Sequence, residues 1–241
     1  MRYAVISDVH ANLEALEAVL KDIRKRKVEN VIFLGDAVGY GPNPNECIDL
    51  LKDHCKTLLI GNHDSAVIGL TDTDYFNEYA RAAIEWTSTV ITEKNLDILR
   101  AWPMIKVLKR NNILLVHSTP KEPEEWHYLL TLWDAENNFR YFEQKICLLG
   151  HSHYPFIIER LPSGEMVTYK SDAKLGKAER YIINAGSVGQ PRDRDPRACY
   201  AIISDEKVEL RRVKYDVETT QRKMHNAGLP LPLIERLERG A

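Results

Sequence analysis

The sequence predicts an α/β protein in which a parallel sheet is built first and a mixed or antiparallel second sheet follows. Three observations carry that expectation. Short apolar runs recur and end abruptly in polar clusters; residues between the first of these runs repeat with helical spacing; and beyond Tyr154 strand-like segments are cut by turn residues.

The strands come first. Tyr3 to Ile6 runs into Ser7-Asp8-Val9-His10, Val31 to Leu34 into Gly35-Asp36, and Leu58 to Ile60 into Gly61-Asn62-His63-Asp64. Ile113 to Val116 runs into His117-Ser118, and Ile146 to Leu149 into Gly150-His151-Ser152-His153. Runs this short and without alternation suit strands buried on both faces. Between them, Leu13, Leu16, Val19, Leu20 and Ile23 share one helical face, and the basic stretch Arg24 to Lys27 complements the helix dipole. Cys47, Ile48, Leu50 and Leu51 predict a second helix, opened by Pro44. Strand–helix alternation implies right-handed crossovers and parallel pairing.

The middle of the chain reads as helix from roughly Asp74 to Thr92. Ile105 to Lys109, an Asn111-Asn112 turn and Ile113 to Val116 form a hairpin signal. Later turns are expected at Pro162 to Gly164, at Asp172 to Gly176 and at Asp205-Glu206. The tail from Asp216 is expected to be helical, with breaks at Gly228, Pro230 and Pro232. No repeat or linker stands out in the 241 residues, so one domain over 1–241 is expected, its helical tail covering about 216–241.

A formal net charge of -2 gives no global basic field, which disfavours nucleic acid as a partner unless a local patch binds it. The opening MRYAVISDVH has no signal-peptide pattern, and no apolar run is long enough for a membrane span. Cys47, Cys55, Cys147 and Cys199 form no C-x-x-C pair. A cytoplasmic protein with buried free thiols and no membrane partner is the expectation. Nothing in the sequence reports an oligomeric state.

In open α/β sheets functional groups gather beyond the carboxyl ends of strands. Here five such ends deliver Asp8, His10, Asp36, Asn62, His63, Asp64, His117, His151 and His153. A lone strand-end histidine is usually structural; five of the chain's eight at such ends, with aspartates and an asparagine, point to a metal site. Mixed imidazole, carboxylate and amide donors suit manganese, iron, cobalt, nickel or zinc rather than a calcium cage. Two such cations about 3.5–4 Å apart can clamp the attacking and leaving oxygens of an in-line displacement.

The blocks D-x-H at Asp8 to His10, GD at Gly35-Asp36, GNHD at Gly61 to Asp64, His117 alone, and GHSH at Gly150 to His153 resemble those of the calcineurin-like metallophosphoesterase family, in the family's order. The stretch Ile183 to Arg192 is similar to the N-P-G-S-x-x-x-P-R block of its small bacterial and archaeal branch. The resemblance implies a four-layer α-β-β-α sandwich of two mixed sheets with a dinuclear site at one edge. It implies that Asp8, His10 and His153 hold one divalent metal, that Asn62, His117 and His151 hold the other, and that Asp36 bridges them. It also implies that His63 contacts the phosphate or protonates the leaving oxygen, with Asp64 as its orienter. The implied reaction is hydrolysis of a small phosphorylated or nucleotide substrate (phosphodiester, phosphomonoester or dinucleoside polyphosphate) by hydroxide held between two divalent metal ions.

One departure weighs on this reading. The protein phosphatases of the family carry GD-x-V-D-R-G, where this chain has Gly35-Asp36-Ala37-Val38-Gly39-Tyr40-Gly41. The partner aspartate of the catalytic histidine and a phosphate-gripping arginine are both replaced, so a phosphoprotein substrate is disfavoured and His63 needs another orienter. Arg192, or else Arg194, is the candidate to restore the phosphate contact, against the plain reading of 192–197 as a solvated loop. Tyr40 is expected at the pocket rim. Trp126, His127, Tyr128 and Trp133 form either a lid that stacks on a nucleobase or ordinary cap packing. His54, His127 and His225 have no motif around them and are assigned to structure. Two other functions compete with the enzyme: a catalytically silent metal-binding scaffold of the same fold, and a nuclease.

Overall fold

Two six-stranded sheets lie face to face in the computed structural model, which describes residues 2–241. β1 (Arg2–Ile6), β2 (Val31–Phe33) and β3 (Thr57–Leu58) pair in parallel, linked by α1 (Leu13–Lys25) and α2 (Pro44–His54). The Asn12 side chain accepts from the Ala15 amide at the start of α1, and Pro44 sits in the first turn of α2, where no amide is missed.

The chain then passes through α3 (Asn62–Val67), α4 (Glu78–Val90) and α5 (Glu93–Arg100) into the second sheet. β4 (Ile105–Leu108) and β5 (Ile113–Val116) form the expected hairpin, with Asn112 left-handed in its turn at φ 55°. α6 (Leu132–Asn138) leads to β6 (Ile146–Leu149), parallel to β5. β7 (Phe156–Arg160), β8 (Met166–Tyr169), β9 (Ala173–Lys174) and β10 (Arg180–Asn184) follow, then β11 (Ala198–Ser204) and β12 (Lys207–Val213), and last α7 (Val217–Asn226) and α8 (Leu231–Arg239). The first sheet runs β3-β2-β1-β11-β12-β9 and the second β4-β5-β6-β10-β7-β8. Both are mixed, because β11 returns antiparallel beside β1 and β7 antiparallel beside β10.

Three apolar interfaces separate four layers. Ile6 and Phe33 meet Leu16, Val19 and Ile48 of the helices outside the first sheet. Val5, Ile32 and Leu34 meet Leu115, Leu148 and Ile183 between the sheets. Leu114, Val116 and Leu149 meet Ala135 and Phe139 outside the second. Alternate residues of one strand therefore enter different apolar layers, which is why the strands read as unbroken apolar runs. The architecture is an α-β-β-α sandwich.

Local chemistry corrects three expectations. The helix expected from Asp74 to Thr92 is a short 3₁₀ turn, Thr73–Tyr75, followed by α4, because the Asn77 side chain caps α4 through the Tyr79 and Ala80 amides. The turn expected at Asp172 to Gly176 contains β9, which extends the first sheet beyond β12. Pro230 and Pro232 open α8 rather than break it; the interruption lies at Gly228, with φ +70°. α7 and α8 pack through Met224, Leu233 and Leu237 against Tyr40, Ala80 and Ala83. Among the described residues no helix is long and apolar enough to cross a membrane.

Candidate active site

The five strand ends of the motif blocks converge at one edge of the sandwich. Asp8 Oδ1 lies 3.3 Å from His153 Nε2, 3.9 Å from His117 Nε2 and 4.0 Å from His10 Nε2. Asp36 Oδ2 lies 3.3 Å from His117 Nε2 and 3.6 Å from His10 Nε2. Asn62 Oδ1 is 3.3 Å from His117 Nε2. Asp8–His10–His153 and Asp36–His117–His151 each bring their ligand atoms within 4.8 Å of one another, and every one of these residues is buried.

Each of these four imidazoles is oriented by a backbone carbonyl. The Nδ1 atoms of His10, His117 and His153 face the carbonyls of Val38, Leu34 and Gln190 at 3.0, 3.0 and 2.6 Å. His151 is turned the other way, with Nε2 2.7 Å from the Trp126 carbonyl. A carbonyl only accepts, so each facing nitrogen carries a proton, and the nitrogen left to meet a ligand is Nε2 in the first three rings and Nδ1 in His151. The consequence is sharpest between His10 and His153, whose Nε2 atoms stand 3.0 Å apart. Burial lowers the pKa of both rings, so two neutral lone pairs point into the same space beside Asp8. A divalent cation fits that arrangement; an apolar or anionic group does not.

The charges agree. Burial pushes Asp8 up to about 7. Burial also opposes charge on Asp36 and His117, yet each stabilises the other: Asp36 is held well below the usual carboxylate range and His117 is raised to about 9. A buried pair of carboxylates demands positive charge beside it.

Backbone strain accompanies the convergence. Asp8, His10, Asp36, Tyr40, His151 and His153 all have φ between 49° and 64°. Left-handed non-glycine residues cost about 1–3 kcal/mol each and persist where surrounding contacts hold them. Two glycines permit the close approach. A Cβ at Gly61 would lie 2.1 Å from Asp36 Oδ1, and one at Gly150 would lie 2.5 Å from Asp8 Oδ2. The Ile183 to Arg192 block ties the strand ends together: Ser187 Oγ donates to the Asp8 carbonyl at 2.8 Å, and Asn184 Nδ2 donates to the Gly150 carbonyl at 2.7 Å.

His63 differs from the other four strand-end histidines. Its ring Nδ1 is buried without a hydrogen-bond partner, and its ring is held by aromatic neighbours. Tyr40, His10 and Phe76 lie at centroid distances of 4.5, 4.7 and 5.0 Å. Burial lowers its pKa to about 4. Asp64 does not orient it, contrary to expectation. The Asp64 carboxylate accepts from the amides of Asp36, Ala37, Val38 and Gly61 at 2.8 to 3.1 Å, which leaves it no free oxygen for the ring. Asp64 instead clamps the loop that carries Asp36. Phe76, which packs on His63, carries no motif and was invisible in sequence; only its place beside an Asn77-capped helix brings it to the site.

Of the two arginine candidates, Arg192 is the one that contacts a residue of the site. Its Nη2 reaches Tyr40 Oη at 3.2 Å and Gln190 Oε1 at 3.0 Å, while its buried Nε has no partner. Arg194 is exposed, and its amide donates to the Gly240 carbonyl. Tyr40 is buried, with its ring against His10 and His63 and its edge on the pocket. That pocket encloses about 370 Å³ between Asn62, His63 and His151 on its floor and Tyr75, Phe76 and Trp126 on its walls. Trp126 Nε1 donates to Thr71 Oγ1 at 3.1 Å, linking two rim loops, and Tyr128 stacks on His151 at 4.2 Å. His127 lies outside, 3.6 Å from Glu122 on the surface.

Residues 1–173 match the family of calcineurin-like phosphoesterases. This chain belongs to that family. It is 42% identical over 238 residues to an uncharacterised protein of Methanocaldococcus jannaschii, covering 97% of this chain and 96% of that one. It is 26% identical over 187 residues to a symmetrical bis(5'-nucleosyl)-tetraphosphatase of Coxiella burnetii, covering 75% of this chain and 60% of the relative. The crystal structure of a metallophosphoesterase from Sphaerobacter thermophilus superimposes with a TM-score of 0.88 at 40% identity, covering 100% of this chain and 99% of that one. This phosphoesterase is accordingly an enzyme that hydrolyses phosphoric esters, and its buried donor groups are candidate ligands for divalent metal.

Proposed function

We propose that this phosphoesterase holds two divalent cations and hydrolyses a small phosphate ester or anhydride that carries a nucleotide. Asp8, His10 and His153 would hold one cation, Asn62, His117 and His151 the other, and Asp36 would serve both. The observation that carries the reading is the set of four imidazoles, each donating one N–H to a carbonyl and each turning its other nitrogen toward Asp8 or Asp36. When bound, the cations supply Lewis acidity, bringing the pKa of water toward neutrality and balancing the charge of the transition state.

The chain's own residues do the rest. A ring nitrogen of His63 lies within 4.8 Å of ligand atoms of His10 and Asp36, but the ring has no carbonyl partner and lines the pocket, and we assign it to the substrate rather than to the metal. An anionic phosphate beside it offsets the burial that keeps the free ring neutral, so its proton is available to the leaving oxygen. Tyr40 and Phe76 orient the ring, in place of the missing aspartate. Arg192, anchored on Tyr40, contributes a guanidinium to the phosphate oxygens. The substrate class is supported by the name of the Coxiella burnetii relative and by the aromatic pocket wall. Four unpaired, buried cysteines suit a reducing cytoplasm.

The test is elemental analysis of the purified protein, followed by turnover of mono-, di- and dinucleoside phosphates with manganese, iron, cobalt, nickel and zinc. About two metal equivalents and turnover that chelation abolishes are expected. Metal without turnover of any phosphate ester favours the silent scaffold, and a protein that never takes up metal overturns both readings.

A further inference from the structure

A second cavity, of about 430 Å³, adjoins the catalytic pocket, and the Tyr128 ring lines both. Its near wall begins at Thr119, two residues beyond His117. Its far walls carry Trp133 and Tyr141, which are 72% and 54% exposed. Large aromatic faces turned to water at this density need a reason. Lys121 lies 6.0 Å from the Tyr141 ring centroid, a cation set on an aromatic face, and also pairs at the surface with Glu122. Arg140, on the same wall, has no carboxylate partner among the described residues. The one acidic lining group, Asp134, has its Oδ2 taken up by the Leu130 and Thr131 amides and by Thr131 Oγ1, and it faces two cationic side chains on the same walls. Flat aromatic faces beside cations accept a nucleobase with its phosphate.

We propose that this cavity is a second substrate subsite, seating one nucleotide of a two-ended substrate whose other nucleotide occupies the pocket beside His63. Each cavity has the volume of a single small-ligand site, and the candidate metal centre borders the pocket at His151, the residue on which Tyr128 stacks. The chemical class this selects is a dinucleoside polyphosphate. Hydrolysis splits it at one P–O bond: hydroxyl from water ends on the phosphorus of one half and the remaining proton on the released oxygen of the other. One product is left in each cavity. The inference rests on the phosphoesterase reading above and narrows its substrate.

The experiment compares diadenosine tetraphosphate with bis(4-nitrophenyl) phosphate, which carries no nucleotide to seat in the second cavity. In Trp133→Ala the KM for the dinucleotide should rise about tenfold with kcat unchanged, Trp133→Phe should restore it, and the aryl diester should be unaffected. Arg140→Ala should raise the same KM. Thermal unfolding of the variants checks that these exposed side chains leave the fold intact. An unchanged dinucleotide KM in both alanine variants overturns the subsite. So does a wild-type enzyme that cleaves the aryl diester but not the dinucleotide. Failure of the wild type on both substrates with every metal instead overturns the phosphoesterase reading, and this inference with it.

Discussion

The metal cradle and the pocket wall above it are built on opposite principles. In the cradle, Asp8, His10, Asp36, His117, His151 and His153 are buried, and five of these six have φ above zero. Backbone carbonyls hold the rings, and glycines pressed against Asp8 and Asp36 leave no room to move. In the wall, Tyr75 on a 3₁₀ turn and Tyr128 in a loop stand 87% and 50% exposed. A buried constellation fixed by backbone geometry keeps charge and lone pairs in place, which the reaction needs. Exposed aromatics on loops can be exchanged without disturbing it, which suits selection among substrates.

That contrast can be broken at several points. The largest effect is expected from Asp36→Asn, which removes the shared carboxylate: metal content and turnover should both fall to background, and near-normal turnover would show that Asp36 serves neither cation. Next, His63→Ala should keep its metal yet lose turnover by about 10²- to 10⁴-fold. Loss of metal in that variant would move His63 from the substrate side into the cradle. Asp64→Asn tests whether the clamp is structural. An amide oxygen cannot satisfy four backbone donors, so the denaturation midpoint should correspond to about 1–3 kcal/mol of lost stability, with His63-dependent turnover reduced only through the Asp36 loop. The smallest effect belongs to the wall: Tyr128→Leu should raise the KM for a nucleotide substrate about three- to tenfold while metal content stays whole. A metal-depleted Tyr128→Leu would mean that the wall is part of the cradle after all.

Much of this was legible in sequence. The unbroken apolar runs Tyr3 to Ile6 and Ile113 to Val116 announced doubly covered strands, and the polar ends of five such runs carry the aspartates and histidines that meet at one edge of the sandwich. Less legible were the caps. Asn77 caps α4 and so separates a short 3₁₀ turn from it within the expected middle helix, and Thr92 caps a further helix, α5, beyond that helix's end, since a side-chain acceptor decides locally where a helix restarts. The β9 segment lies within residues that read as a turn, because a two-residue edge strand has no periodicity to detect.

By itself, then, the order of residues determined which side chains lie at strand ends and what chemistry their types permit. Periodicity and donor identity are local properties, carried by neighbours along the chain. Tertiary structure alone decided what each polar group faces. It turned Asp64 to four amides instead of His63, set Phe76 and Tyr40 around that ring, placed Arg192 against Tyr40 and left Arg194 exposed, and joined two cavities at Tyr128. Those contacts connect residues far apart in the chain, and a contact of that kind leaves no trace in spacing or composition; only the packing of four layers brings the partners within reach.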